Sequence, residues 1–198
     1  MKRLIFLISF LCFNLFFSQK QFKYKDTHFP IKYILKNSTD TIRTRVQNMG
    51  LYTNKKFSSA TYINNMYVID SLGNKTKVPE QDIAYMEITD LQNVKRKIIS
   101  SSTVFSKDFG LLETIYEGNK TAYYRSANYS VSIYSPMIIY SDYLIFKTDK
   151  SIVELGSAGR FKIKMKQKFS AYPDILLLID SWKYDNDLIK ILDRYERK

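Results

Sequence analysis

The sequence predicts an α+β fold: a curved antiparallel β-sheet or partly open barrel of about eight to ten strands, followed by two or three short C-terminal helices. Three observations predict it. From Lys20 to about Glu154, short runs of β-branched and aromatic residues alternate with turns rich in Gly, Asn, Asp and Ser. After Gly156 and Gly159 the apolar spacing changes from a strand period to a helix period. The chain also carries 16 Tyr and 13 Phe, residues that suit a pleated, half-buried surface.

The elements follow in order. Ile31–Leu35 reads as a strand, Asn37-Ser-Thr-Asp40 as a turn whose short polar side chains bond their own backbone, and Ile42–Val46 as the returning strand. Met66–Ile69 leads into Ser71-Leu-Gly73-Asn74, where Gly and Asn tolerate positive φ, and Thr76–Val78 answers it. Pro79-Glu-Gln-Asp82 reads as one helical turn, with Pro where no N–H is needed. Ile83–Ile88 and Val94–Ile99 are further strands. Leu111–Tyr116, the turn Glu117-Gly-Asn-Lys120 and Thr121–Arg125 make the clearest hairpin. Tyr129–Tyr134, Tyr143–Lys147 and Ser151–Leu155 continue the meander.

Beyond the glycines, Phe161, Met165 and Phe169 form one apolar helical stripe. Ile175, Leu178, Ile179 and Trp182 form a second, and Leu188, Ile191, Leu192 and Tyr195 a third. Segment 160–168 also alternates basic and apolar residues, so helix and edge strand are both open there. An open sheet face needs a lid, so the stripes are expected to cover the sheet.

The first residues, MKRLIFLISFLCFNLFFSQ, have the layout of a secretory signal peptide. Lys2 and Arg3 precede an apolar run of about fourteen residues, short of the roughly 20 that span a bilayer. Cleavage is expected after Ser18, giving a signal at 1–18 and a single domain at 19–198, strand-rich over 20–156 and helical over 160–197. The expected location is periplasmic or extracellular, with peripheral membrane attachment as a variant. Cleavage removes Cys12, the one cysteine. The exported chain then has no disulfide, thiol nucleophile or thiolate ligand.

The formal net charge of +12 falls to +10 without Lys2 and Arg3. That balance favours anionic surfaces. The basic residues are scattered, with the densest groups at Lys95-Arg96-Lys97 and Arg160 to Lys168. Export sets nucleic acid aside as a partner, because attraction to phosphates is sequence-blind and needs a partner present.

Met66 to Ile83 runs strand, Gly turn, strand, Pro-x-x-Asp-Ile turn, strand. This run resembles a recurrent element of secreted proteins of Bacteroidota to which no activity attaches. Leu111–Tyr124 is similar to that family's next hairpin, and Phe161–Tyr195 to its helical end. Tyr172-Pro173 stands where the family commonly has Cys-Pro. The resemblance implies a strand-rich secreted body with helices at its C-terminus, and no catalytic motif.

The sequence is poor in catalytic sets. It has no P-loop, GxGxxG, GxSxG, HExxH or Asp-rich calcium loop, so neither cofactor nor metal is expected. The single His28 is read as an exposed tail residue. Asp82 with Glu87, and Glu113 with Glu117, are the carboxylate pairs that could act as acid and base; the second pair is spaced to share one strand face. The leading expectation is a non-enzymatic cell-envelope module that binds an envelope protein or a glycan. Its candidate contacts are Tyr123, Tyr124, Arg125, Tyr129, Tyr134 and Tyr140. The alternatives are a carboxylate-dependent hydrolase of carbohydrate or peptide, and an anionic-membrane binder acting through Arg160, Lys162, Lys164, Lys166 and Lys168. Oligomeric state is left open.

Overall fold

A computed structural model describes residues 22–50, 56–130, 137–155, 158–183 and 185–198. The predicted signal segment 1–18 and Tyr134 lie outside the described residues. Among the described residues ten strands form one antiparallel sheet: β1 (His28–Leu35), β2 (Ile42–Gln47), β3 (Asn65–Ile69), β4 (Lys75–Pro79), β5 (Ile83–Thr89), β6 (Lys95–Ser100), β7 (Leu111–Glu117), β8 (Thr121–Tyr129), β9 (Ile138–Phe146) and β10 (Ser151–Leu155). The strand order is β10-β9-β8-β7-β6-β5-β1-β2-β3-β4, so the sheet is open at β10 and β4. Three helices follow, α1 (Ala158–Lys168), α2 (Pro173–Ser181) and α3 (Asp185–Glu196). Segment 160–168 is therefore helical. The Glu80–Asp82 turn is a single 3-10 turn after Pro79, as the sequence predicts.

Turn chemistry sets the hairpins. In the β3–β4 turn, Gly73 adopts φ +90°. The Asp70 carboxylate accepts from the N–H of Leu72 and Asn74 at 2.9 and 2.8 Å. The β5–β6 turn repeats the device. Asp90 accepts from the N–H of Gln92 and Val94, and Asn93 sits at φ 59°.

Strand alternation divides the side chains between two faces. On the inner face, Phe29, Ile31, Tyr33, Val46, Met86, Ile88 and Ile98 share one cluster with Met66, Val68 and Val78 of β3 and β4. Strands from the end and the middle of the order meet there because the sheet coils on itself. Glu80 ties the seam. It accepts from the N–H of Asn64 at 2.7 Å and from that of Leu111 at 2.9 Å. Closing the coil exchanges exposed backbone N–H groups for a charged acceptor, which stabilises it more than a neutral pair would.

A second inner-face cluster joins Tyr123, Leu144 and Phe146 of the sheet to Phe161, Met165, Phe169, Ile175, Ile179, Leu188, Ile191 and Leu192 of the helices. The predicted stripes thus lie on the sheet, except that Leu178 of the second stripe is exposed. Edge-to-face rings reinforce the packing, Phe161–Trp182 at 4.9 Å and Phe169–Tyr195 at 5.0 Å between centroids. On the outer face, Leu112, Ala122 and Tyr124 form a smaller cluster under Val104 and Phe105 of the β6–β7 connection.

His28 is not a tail residue. It opens β1, is buried, and packs beside Phe22 and Tyr24. Its Nδ1 accepts from the Lys25 N–H at 3.3 Å. The β1–β2 and β1–β5 ladders hold His28–Leu35 inside the sheet, which an N-terminal position alone does not reveal.

Candidate functional site

The two inner-face clusters meet along a band of charge. The register places Ile98, Glu113, Arg125 and Asp142 side by side across β6, β7, β8 and β9. Arg125 binds Asp142 bidentately, Nε to Oδ1 at 2.7 Å and Nη2 to Oδ2 at 2.8 Å. The Tyr123 hydroxyl donates to Asp142 Oδ2 and accepts from Arg125 Nη2, both at 2.8 Å. Next to it, Arg96 Nη1 donates to Glu113 at 2.8 Å, and Nη2 lies 3.5 Å from Asp90. The Arg96 guanidinium also covers the Phe57 ring at 4.5 Å. Tyr62 is buried here, and burial, then the Glu113 carboxylate, pushes its hydroxyl pKa upward.

The predicted contact residues therefore part company. Tyr123 and Tyr124 are core residues on opposite faces of β8. Alternation along the strand forces that separation. Arg125 is spent on Asp142 and Tyr123. Tyr129 and Tyr140 are exposed, on the same face as Arg125, and the Tyr140 hydroxyl lies 3.4 Å from Ser59 Oγ.

Neither predicted carboxylate pair shares a cleft. A register shift between Thr114 and Tyr116 turns the strand. Glu113 faces inward to Arg96, while Glu117 faces outward to Lys97 at 2.6 Å. The extra residue of a bulge reverses the face of everything after it, so even spacing misleads. Glu87 binds Lys32 at 3.0 Å on the outer face, and Asp82 is exposed at the end of its 3-10 turn.

A concavity lies elsewhere. A groove of about 700 Å³ follows the coil seam, lined by Asn64, Asn65, Pro79, Glu80, Gln81, Asp108, Phe109, Gly110 and Asn128. Its chemistry is four side-chain amides, two carboxylates and one partly exposed ring, Phe109. Asp108 pairs with Lys36 and accepts from Ser101 Oγ at 3.1 Å. Lys36, ahead of the Gly110 N–H and Ser101, holds its carboxyl below the usual range. Sequence reasoning missed these residues. They sit in four separate turns and strand ends, and only coiling of the sheet assembles them. The sole local signal is polar side chains beside a ring, Asp108-Phe109. Among the described residues no group of three or more His, Cys, Asp or Glu is arranged to hold a metal ion.

The electrostatics predict how stability varies with pH. Burial, then Lys25, Arg45 and Lys75, hold the His28 imidazole below its ordinary pKa. That contribution is complete above the unfolded value, about 6.5, and is lost as pH falls through the lower folded value. Lys32 and Lys97 likewise hold Glu87 and Glu117 below the usual carboxylate range. Their contribution is present above about pH 4 and lost as acid protonates the folded pairs. Burial, then the bond to Asp193, raises Tyr116 to about 12, so its contribution holds below about pH 10 and fails as pH rises through the folded value. Thermal melts are expected to plateau near neutral to mildly basic pH and to fall in two stages in acid. His28→Gln is expected to flatten the first stage and leave the second.

Comparison with family models, curated proteins and solved structures finds no match to this chain.

Proposed function

We propose that this chain is a non-enzymatic binding module of the cell envelope that takes a glycan in the seam groove. The observation that carries the reading is the groove's lining of amides and one partly exposed ring. Planar amides donate and accept at fixed geometry and so match vicinal hydroxyls, while an aromatic face covers the C–H side of a sugar ring. Export rests on the basic and apolar layout of residues 2–18, and the resemblance to secreted Bacteroidota proteins agrees with it.

Hydrolysis is the second reading, because Glu80 and Asp108 both line the groove. A glycosidase needs one carboxyl kept protonated near neutral pH. Asp108 is held ionised by Lys36, and Glu80 spends both oxygens on backbone N–H groups. Binding is favoured for that reason.

An array of bacterial surface saccharides, probed with the full chain, tests the reading. Retention of at least one saccharide class is expected. Gln81→Ala with Asn128→Ala is expected to weaken that binding about tenfold or more, as loss of two ligand hydrogen bonds would. Both side chains are exposed, so the fold is expected to survive. No retained saccharide, or a double variant that binds like the parent, overturns the proposal. Release of reducing ends from a bound glycan would favour hydrolysis instead.

A further inference from the structure

We infer that the outer faces of α1 and α2 form a contact surface for an anionic lipid bilayer. Three large aliphatic side chains project from this corner into solvent. Leu177 is 73% exposed, Ile163 59% and Leu178 37%. On α1 the buried stripe is Phe161, Met165 and Phe169, so Ile163 lies on the opposite side of the helix, one turn from Arg160 and Gln167. On α2 the buried pair is Ile175 and Ile179, so Leu177 likewise faces away. The two helices are joined along their flanks. Lys166 pairs with Asp180, and Lys162 donates to the Asp180 carbonyl at 3.3 Å. That seam sets the two outward aliphatic side chains on one side of the protein.

The charge on α1 is one-sided, while α2 carries Asp174 and Asp180. α1 carries Arg160, Lys162, Lys164, Lys166 and Lys168 and no acidic residue. Lys168 is engaged by Asp149 and Lys166 by Asp180. Among the described residues, Arg160 and Lys164 have no acidic partner. Helix stability does not explain them. Arg160 stands in the first turn, where the helix dipole disfavours a cation. A solvated face explains basic residues alone, but not basic residues interleaved with Ile163 and Leu177.

The pattern selects a bilayer over a protein partner. A stable protein interface buries about 800 Å² on each side around a well-packed core. Separate aliphatic tips beside the cationic side chains of α1 offer no such core. They do match an interface where short apolar groups enter the acyl boundary and cations stay among anionic headgroups. The helices would lie on the surface. Among the described residues no helix is long and apolar enough to cross a membrane.

Vesicle co-sedimentation tests this with the full chain, so that the apolar N-terminal run contributes equally to every arm. Mixed phosphatidylglycerol–phosphatidylcholine vesicles are expected to bind about tenfold or more tightly than phosphatidylcholine alone, and added salt is expected to erase the difference. Arg160→Glu with Lys164→Glu, and separately Ile163→Asp with Leu177→Asp, are each expected to lower binding about tenfold while circular dichroism and melting midpoint stay at parental values. Equal binding to both vesicle types overturns the inference, as does parental binding by either double variant. Complete displacement by inorganic phosphate would mean a phosphate site and not a bilayer surface. Dimers in sedimentation velocity that Ile163→Asp with Leu177→Asp disperses would mean a self-contact, and would overturn it too.

Discussion

Replacing Arg96 with methionine is expected to cost about 3 kcal/mol of folding stability, measured by urea denaturation. The Glu113 side chain is only 9% exposed and that of Asp90 only 6%, and Arg96 is the cation that faces both. Methionine fills much of the same volume, so the loss reports charge and not a cavity. Taking away the guanidinium leaves the Glu113 side chain buried without its cation, which costs more than the pair itself contributed. Asp90 suffers less, because it keeps its bonds from Gln92 and Val94. The double change Arg96→Met with Glu113→Leu is therefore expected to recover at least half of the loss. A double variant as unstable as Arg96→Met alone would place the effect in packing over Phe57 instead of charge.

Glu196→Ala is the second large effect, expected at about 2 to 3 kcal/mol. Near the end of α3, this carboxylate accepts from the Lys120 N–H at 2.9 Å and from the Thr121 N–H and hydroxyl at 2.8 Å each. Those donors are the last turn residue and the first residue of β8, so one side chain fastens the last helix to a hairpin about 75 residues earlier. Gly118 permits the approach, since a Cβ there would run into the Glu196 carboxylate. Gly118→Ala is thus expected to mimic a milder form of Glu196→Ala. Burial works against the Glu196 charge, yet the hydrogen bonds from Lys120 and Thr121 still hold it below the usual carboxylate range. Its contribution is present above about pH 4 and lost as acid protonates it in the folded state. The difference between parent and variant in the denaturation midpoint should therefore vanish in strong acid. Hydrogen exchange in α2 and α3 should quicken in the variant at neutral pH.

Local chemistry was legible where one short segment carries its own reason. The Ser71–Asn74 turn, the 3-10 turn after Pro79 and the β7–β8 hairpin all need only neighbouring residues; the turn at Asp90 was not read from the sequence. The helical stripes were readable too, Leu178 excepted, because a buried stripe repeats at the helix period whatever it packs against. The amphipathic character of α1 was visible as well, although its alternating residues also fitted a strand.

The site was not legible, and the reasons are specific. Tyr123 and Tyr124 look alike in sequence, yet adjacent strand residues face opposite sides, and here both sides are covered. Nothing in Thr114-Ile115-Tyr116 announces a bulge, so Glu113 and Glu117 seemed to share a face that they do not share. The groove residues Asn64, Gln81, Asp108 and Asn128 come from distant turns and strand ends. Composition and periodicity alone determined the strand-rich body and its helical end, since backbone hydrogen bonding and one-sided burial act over a few residues. Which charges meet, which aromatics are buried and where a groove opens were decided by the coil of the sheet, because long-range register is a property of the whole chain.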